Sequence, residues 1–462
     1  MPLSGRSSRF TPPEAGAATP VRFPPIARGE LSNGLRVWTI RHDVAPVVNV
    51  ALVLTKGTAD DPPDRHGLAG LTADLLDEGA AGRNAIQIAE AMSRLGTHLD
   101  VGIGADLMSI GFTSIARVFP AALELAASVV KQPHLSDDDF KRIRELRLSR
   151  LRQLRQSAAA LGERTFLNAV FGSHGYGHGA LGTTGSLETI TLDEVRAWYE
   201  RSVCPSLATL IVSGDVTHAE VMSVAARVLS SWTGRHAAAR SADARDGRLP
   251  DSERAASRIL LVDRPGAPQA ELRIGHLGPS RRTPAYHALV TMNAALGGQF
   301  SSRINRHLRE AKGWTYGART LLDFRRDSGT FACETSVQAD AAGLAVADVL
   351  NEFRAIRGPR PISAEELDRA KRSLTRGYVR LFETASNLTN AATQLATFDL
   401  PDDTFDCFVP GVESVGEADV LEAAAAFVHP ERCVAVVVGD AAGFRGRFVD
   451  LGLPIEDVSP EM

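Results

Sequence analysis

The chain has 462 residues, 44% of them hydrophobic and 23% charged, which is typical of a folded protein and excludes disordered and fibrous classes. This length is too great for one compact core, so we expect more than one domain. The net charge of -4 gives no electrostatic attraction to nucleic acid or an anionic membrane, and no apolar run approaches the roughly 18 residues of a membrane-spanning helix, so we expect neither as a partner.

The N-terminal segment, residues 1–28, contains prolines and basic residues but no continuous apolar stretch. We interpret it as a flexible leader and not as a secretory signal peptide. The four cysteines lie far apart in the chain and include no Cys-x-x-Cys pair. This usage is typical of reduced thiols, and it predicts a cytoplasmic protein without a disulfide framework or a cysteine metal site.

The chain repeats itself. Residues 186–215, SLETITLDEVRAWYERSVCPSLATLIVSGD, align without a gap with residues 411–440, GVESVGEADVLEAAAAFVHPERCVAVVVGD. A second match, between the Ala-Pro pairs at 45–46 and 267–268, has nearly the same offset and precedes an alternating strand pattern in both places. Two matches at such similar offsets, so far apart in the chain, indicate a duplicated domain and not a short solenoid repeat.

The repeat divides the chain into domains. We expect a first domain over residues 29–233 and a second over residues 257–447, followed by a tail at 448–462. Residues 234–256 between them are polar and rich in Ala, Arg and Asp without an apolar period, so they are interpreted as a linker.

Each half mixes β-branched strand patterns with amphipathic helices. The clearest helical stretch is predicted over residues 137–161, where apolar residues recur at helical spacing among basic ones. The mixed order of elements predicts an α+β fold, in which each of two homologous domains has a mixed sheet with helices packed on one side.

Four segments in chain order resemble a known family. They are LSNGLRV at 31–37, KGT at 56–58, GSHGYGHGALGTTGSLETIT at 172–191 and LGGQFSSRINRHLREAKGWTYGA at 296–318. Together with the duplication they resemble the pitrilysin/insulinase (inverzincin) metallopeptidases, in particular the zinc-less subunit of the bacterial two-chain members and of mitochondrial processing peptidase. The resemblance implies half of a clam-shell peptidase.

The family's zinc motif is absent. Active members carry His-x-x-Glu-His on the first helix of domain one, where two imidazoles one turn apart bind zinc and the glutamate acts as base, and a more distant glutamate completes the ligand set. The matching positions here are Gly70, Ala73 and Asp74, and the distal ligand falls at Arg150. The resemblance therefore implies no metal in this chain and a zinc ion in a partner subunit.

Two residues of the family's substrate site are retained. Arg309 and Tyr316 have the spacing of the Arg/Tyr pair that, in relatives, holds the substrate backbone and the developing oxyanion. We interpret them as acting in trans, on a site whose zinc belongs to another chain. Gly313 is expected to end the helix of Arg309, so that Tyr316 starts the next strand.

A second family element is the strand that accepts peptide by β-augmentation, and His98, Leu99, Asp100 and Val101 match it. An ordinary sheet edge explains that segment equally well. His174 and His178 are four residues apart, but on a Gly-rich segment where this spacing does not set a common face, so they are a weak candidate for a metal.

The function that follows is that of a non-catalytic subunit in a heterodimeric zinc metallopeptidase. Its expected partners are a homologous subunit with the zinc site and a peptide substrate. Two alternatives remain open: a scaffold or assembly subunit without a peptidase role, and a self-sufficient peptidase with a non-standard metal site.

Overall fold

The computed structural model of the chain describes residues 20–234 and 256–459. Each half contains one six-stranded mixed sheet with helices, so the α+β prediction with two homologous domains is confirmed. Residues 1–19 of the expected leader, 235–255 of the expected linker and 460–462 of the expected tail lie outside the described residues.

The first half is built on a sheet with the strand order β1-β2-β8-β3-β7-β6. The strands of this sheet are β1 (Ala27–Glu30), β2 (Arg36–Arg41), β3 (Val47–Leu54), β6 (Asp100–Ile103), β7 (Met108–Ile115) and β8 (Ala208–Gly214). Strands β4 (Gly79–Ala80) and β5 (Arg83–Asn84) form a separate short hairpin. Strands β2 and β8 are parallel, and the other neighbours are antiparallel.

Eight α-helices accompany this sheet in the described part of the first half: α1 (Leu68–Leu76), α2 (Ala85–Arg94), α3 (Phe119–Lys131), α4 (Asp137–Leu154), α5 (Ala158–Phe171), α6 (Thr184–Thr189), α7 (Leu192–Ser202) and α8 (His218–Leu229). The single helix predicted over residues 137–161 was wrong. The helix is interrupted at residues 155–157. The Ser157 side chain accepts a hydrogen bond from the Ala160 amide and so caps the start of a new helix, α5.

The second half repeats this plan with the strand order β11-β12-β10-β13-β9-β14. Its strands are β9 (Arg258–Asp263), β10 (Gln269–Gly278), β11 (Ala318–Asp323), β12 (Gly329–Gln338), β13 (Val434–Gly439) and β14 (Ile455–Asp457). Its helices are α9 (Tyr286–Asn293), α10 (Arg303–Asn305), α11 (Ala342–Ile356), α12 (Ala364–Thr375), α13 (Ala385–Phe398), α14 (Phe408–Ser414), α15 (Glu417–Phe427) and α16 (Ala441–Phe444). Two π-helical turns, Ala294–Gly298 and Arg306–Ala311, extend α9 and α10.

The chain ends enter the sheets, which corrects two expected boundaries. The leader was expected to reach residue 28, but β1 begins at Ala27 and Phe23 is buried, with its amide donating to the Asp406 carboxylate at 2.6 Å. The tail was expected to begin at residue 448, but β14 pairs in parallel with β9. Both ends therefore add an edge strand to the sheet of their own half.

Each sheet is covered on one face by helices of its own half and on the other face by a helix of the opposite half. Helix α5 packs Leu161, Phe166 and Val170 against the second sheet, where they contact strand residues that include Val436 and Val438. Burying an apolar side chain of this size contributes about 1.5–3 kcal/mol. The second face of each sheet, which the sequence left unassigned, thus joins the two halves.

Helix α13 makes the reciprocal contact with the first sheet. Its residues Leu388, Ala392 and Leu395 are buried in one cluster with Ile40 and Ile211 of that sheet. Because α5 and α13 occupy equivalent places in the duplicated plan, the halves exchange corresponding helices and form one interlocked body.

A polar contact also links the halves. Asp106, in the loop after β6, accepts from the Tyr176 hydroxyl at 2.7 Å and from the Arg326 amide at 2.9 Å. Arg325, beside Arg326 in the β11–β12 loop, places its guanidinium carbon 4.9 Å from the Tyr176 ring centroid. Among the described residues, no helix combines the length and apolar character needed to cross a membrane.

Candidate functional site

Helix α1, which carries the degenerate zinc motif, is held at its first turn by a buried carboxylate. Asp61 accepts hydrogen bonds from the amides of Gly67 and Ala69, both at 2.7 Å. Burial disfavours its charged form and raises the pKa of Asp61 to about 7, although the two amides act in the opposite direction. Gly67 itself has a φ of +94°, a conformation that favours glycine.

The motif positions contain an ion pair. Gly70 and Ala73 are buried, and Asp74 faces helix α4, where the Arg147 Nη1 lies 2.6 Å from the Asp74 Oδ2. The Arg147 side chain is only 3% exposed, and its Nη2 donates to the Ala180 carbonyl. Burial lowers the pKa of the Arg147 guanidinium, and the charge of Asp74 works against that shift. Arg150, the predicted counterpart of the distal ligand, is 3.6 Å from the same carboxylate oxygen.

These residues do not fit a zinc ion. A Cβ atom added to Gly70 would lie 2.2 Å from the Ala180 carbonyl oxygen and 2.5 Å from the Arg147 Nη2, so the position of the family's first histidine has no room for a side chain. The remaining carboxylate, Asp74, already faces two guanidinium groups, which oppose a cation. Within residues 20–234 and 256–459, no group of three or more His, Cys, Asp or Glu side chains is arranged to hold a metal ion.

Arg147 was not predicted from the sequence. The spacing carried over from the family pointed to Arg150, which is half exposed, whereas Arg147 lies on the buried face of α4. A signal existed: Arg147 shares helical spacing with the buried Phe140, Ile143 and Leu151, and a charged residue within an apolar stripe requires a buried partner.

The structure does not bring His174 and His178 together as a metal pair. The His174 Nδ1 accepts from the Tyr176 amide at 3.1 Å, while the His178 ring stacks on the His66 ring with centroids 4.1 Å apart. Burial lowers the pKa of His178 to about 3, so this imidazole is neutral. Its Nε2 lies 3.9 Å from the Asp61 Oδ2, which places the loop against the start of α1.

The predicted peptide-accepting segment lies at an edge of the first sheet. Asp100 and Val101 begin β6, which pairs with β7, whereas His98 and Leu99 come just before the strand. The His98 Nε2 is 3.2 Å from the Asp100 Oδ2, and both side chains are largely exposed. Helix α1 packs beside this strand, so the strand edge and the degenerate motif are neighbours.

The retained pair lies in the second half. Arg309 is in the π-helical turn after α10, and Gly313, with a φ of +66°, follows the end of that turn as predicted. We had expected Tyr316 to start the next strand, and this was wrong. Tyr316 lies in the loop two residues before β11, and it is 93% exposed. A hydrogen bond spans Tyr316 in this loop, where the Thr315 hydroxyl donates to the Gly317 carbonyl at 2.9 Å.

Tyr316 borders a groove of about 620 Å³. Phe300 and the backbone of the Gly-Gly segment at 297–298 line the groove, and Ala159 at the start of α5 brings the other half to its wall. In the same groove Arg273 donates to Glu271 at 2.6 Å and lies 3.6 Å from Glu334. The groove thus combines two exposed aromatic side chains with the paired charges around Arg273, and only Tyr316 among these residues was predicted from the sequence.

Family sequence models match both halves of the chain. The model described as "Insulinase (Peptidase family M16)" matches residues 36–184, and that described as "Peptidase M16 inactive domain" matches residues 189–374. This chain belongs to the insulinase family, peptidase family M16. The first match contains the degenerate motif and the second contains Arg309 and Tyr316.

Curated relatives of this insulinase-family chain include bacterial proteins named as uncharacterized zinc proteases. The one from Mycobacterium bovis is 27% identical over 81% of this chain and 84% of its own length. The one from Mycobacterium leprae is 26% identical over 77% of this chain and 78% of its own length. These relatives are similar over most of both halves.

Solved structures confirm the insulinase-family fold. A protease from Helicobacter pylori superposes with a TM-score of 0.84 at 16% identity, covering 90% of this chain and 100% of that one. A peptidase M16 inactive domain from Pseudomonas fluorescens has a TM-score of 0.82 at 24% identity, covering 90% and 98%. Both matches take in the two sheets together.

Proposed function

We propose that this insulinase-family chain is the zinc-less subunit of a heterodimeric zinc metallopeptidase that hydrolyses peptides. One observation carries the proposal: the zinc-motif position in the first half is closed, whereas the Arg/Tyr position in the second half is open. The motif on α1 is closed by the Arg147–Asp74 ion pair, while Tyr316 remains 93% exposed beside an open groove. The exposed Tyr316 side chain is accessible to a ligand in that groove.

Arg309 and Tyr316 supply the chemistry that such a subunit contributes in trans. A guanidinium is always charged and presents a fork of donors, and a phenol hydroxyl adds one directional donor. Neither group needs a metal to bind a peptide carbonyl or to stabilise the oxyanion that develops during hydrolysis. Removing one donor of this kind from a comparable site costs about 2.7–4 kcal/mol of transition-state stabilisation.

The edge strand β6 is the proposed second contact with peptide. A peptide that extends the first sheet at this edge would pair with the backbone of Asp100 and Val101 and lie next to His98 and Leu99. Main-chain pairing accepts many sequences, which suits a peptidase for unfolded peptides or oligopeptides.

The proposed partner is a homologous subunit that carries His-x-x-Glu-His and the zinc ion. The name "inactive domain", given to the family model for the second half and to the Pseudomonas fluorescens protein, supports a division of labour between subunits. A cytoplasmic location belongs to the same proposal, and the four cysteines are free thiols in agreement with it.

The decisive experiment is a tagged pull-down from the native host, followed by reconstitution. We expect a stoichiometric second chain of similar length with an intact zinc motif, and peptide hydrolysis only when both chains are present. The zinc measured in the complex should belong to the partner. Stoichiometric zinc in this chain alone, with chelator-sensitive hydrolysis, would contradict the proposal, and recovery with unrelated proteins only would favour a scaffold role.

A further inference from the structure

The guanidinium of Arg309 rests on an exposed aromatic ring. Its Cζ lies 4.2 Å from the centroid of Phe300, a distance at which a cation is attracted to the ring face. The Arg309 Nη1 is buried and has no hydrogen-bond partner among the described residues. A buried donor without an acceptor is unfavourable, so this arrangement requires an explanation.

Phe300 itself is 67% exposed, which is unusual for a side chain of this size. Its position is set by its backbone. The buried Asn305 donates to the Phe300 carbonyl at 2.6 Å and accepts from the Ala318 amide at 2.9 Å, so one amide side chain joins the Phe300 segment to the start of β11. Because Tyr316 lies two residues before β11, Asn305 links the segments of both exposed aromatic residues.

The backbone before Phe300 has little freedom to move. A Cβ atom on Gly297 would lie 2.4 Å from the Thr320 hydroxyl oxygen, and one on Gly298 would lie 2.7 Å from the Asn293 side-chain nitrogen. The π-helical turns that precede Phe300 and contain Arg309 are a backbone form often found at functional sites. The backbone at Phe300 is therefore held in place, while its side chain remains largely exposed.

We propose that Phe300 is a positioning residue for Arg309: its ring orients the guanidinium and keeps the unpaired donor for the oxyanion that develops on the peptide carbonyl. Phe300 lines the groove, so a guanidinium held against its ring lies close to a peptide bound there. A guanidinium that is already oriented loses less freedom as the oxyanion forms, so the benefit appears in kcat and not in KM. This inference rests on the proposed function, since Arg309 must contact peptide in the assembled peptidase.

The test uses the reconstituted two-chain peptidase with four variants of this subunit: Phe300→Leu, Phe300→Trp, Arg309→Ala and the double variant Phe300→Leu/Arg309→Ala. Leucine keeps an apolar side chain but has no π face, whereas tryptophan keeps one. We expect Phe300→Leu to lower kcat about 3- to 30-fold with KM unchanged within about twofold, and Phe300→Trp to retain wild-type kcat. In the Arg309→Ala background, the leucine substitution should have no further effect.

The outcomes separate this inference from the proposed function. Normal kinetics for Arg309→Ala would overturn both. A defective Arg309→Ala with a normal Phe300→Leu would overturn the inference alone, and so would a Phe300→Leu variant that raises only KM, because that result means direct contact between Phe300 and peptide. Leu344→Ala, at a residue that is 58% exposed and outside the groove, is the matched surface control, and thermal midpoints verify folding of every variant.

Discussion

Arg147 and Asp74 face each other across 2.6 Å between helices α4 and α1. In active members of the family, as the resemblance implies, a metal ion joins these two helices. Here the Arg147 guanidinium on α4 supplies the positive charge and pairs with the Asp74 carboxylate on α1. The two helices are therefore linked by side chains alone.

Replacing Arg147 by methionine should destabilise the fold. The change leaves the Asp74 carboxylate and the Ala180 carbonyl without their donor, and breaking a buried pair on one side costs about 3–5 kcal/mol. Since the Asp74 side chain is 32% exposed, we expect a smaller loss of about 2–3 kcal/mol in the free energy of unfolding, measured with urea. Arg150→Met removes the exposed guanidinium from the same carboxylate and should cost less than about 1 kcal/mol. Equal effects of the two variants would refute the assignment of Arg147 as the principal partner.

Restoring the family motif should not restore a metal site. We expect the triple variant Gly70→His/Ala73→Glu/Asp74→His to bind zinc substoichiometrically, because the Ala180 carbonyl and the Arg147 guanidinium occupy the space that a side chain at position 70 needs. Overpacking of this kind costs about 1–3 kcal/mol, so its thermal midpoint should also fall. Zinc content after dialysis is the measurement, and a tightly bound equivalent of zinc would show that the loop at Ala180 yields easily.

In the reconstituted heterodimer, Tyr316→Phe and Arg309→Ala should each lower kcat by about 100-fold or more, because each removes a donor to the developing oxyanion. Zinc content and association of the subunits should stay unchanged. Arg306→Ala, an exposed arginine in the same π-helical turn as Arg309, is the matched control and should have normal kinetics. Loss of activity in that control equal to the loss in Arg309→Ala would point to a general effect of positive charge.

The stability of the protein should depend on pH through His276, which is 3% exposed on β10. Its Nε2 accepts from the His429 amide at 2.9 Å, and its Nδ1 lies 2.7 Å from the Leu277 carbonyl oxygen, so the folded state requires the neutral ring. Burial lowers the pKa of His276 to about 4. As the pH falls from 7 to 5, the unfolded state takes up a proton and the folded state does not, and folding loses about 2 kcal/mol from this group.

His276→Gln should therefore reduce the change in unfolding free energy between pH 5 and 7 by about 2 kcal/mol, and the part due to His178, whose pKa is also lowered, should remain. The variant must be compared with the wild type because Asp61 has the opposite effect. The pKa of Asp61 is raised to about 7, so its contribution to the unfolding free energy is lost as the pH rises. Leu344→Ala, at an exposed residue without a titratable group, is the control and should keep the wild-type slope. An unchanged slope in His276→Gln would contradict the neutral buried ring.

The duplicated fold could be predicted because its central strands are buried on both faces, and such strands appear in the sequence as largely apolar segments. Ala208–Gly214 and Val434–Gly439 are buried at every position, and they are the segments that align in the sequence. The apolar residues of α5 pack on the second sheet, and the local sequence does not show which sheet covers them. That information lies in contacts between residues far apart in the chain, which local periodicity does not contain.

The site divides in the same way. Arg309 and Tyr316 were found because they keep a fixed spacing within one continuous segment. Arg147 and Phe300 were missed, since the contact of Arg147 depends on the rotation of α4 against α1 and that of Phe300 on a π-helical turn. Helical spacing marks Arg147 as buried but does not identify Asp74 as its partner, and the sequence contains no comparable signal for Phe300.

The exchange of α5 and α13 has a consequence for how the chain is made. During synthesis on the ribosome, the first sheet is complete once β8 has emerged, but the helix that covers its second face begins only at Ala385. Until then, Ile40, Val53 and Ile211 are open to water and to other nascent chains. Dividing the gene between the halves would yield two fragments, each with the helix that covers the sheet of the other. We therefore expect the fragments to be insoluble when expressed separately and to assemble when expressed together.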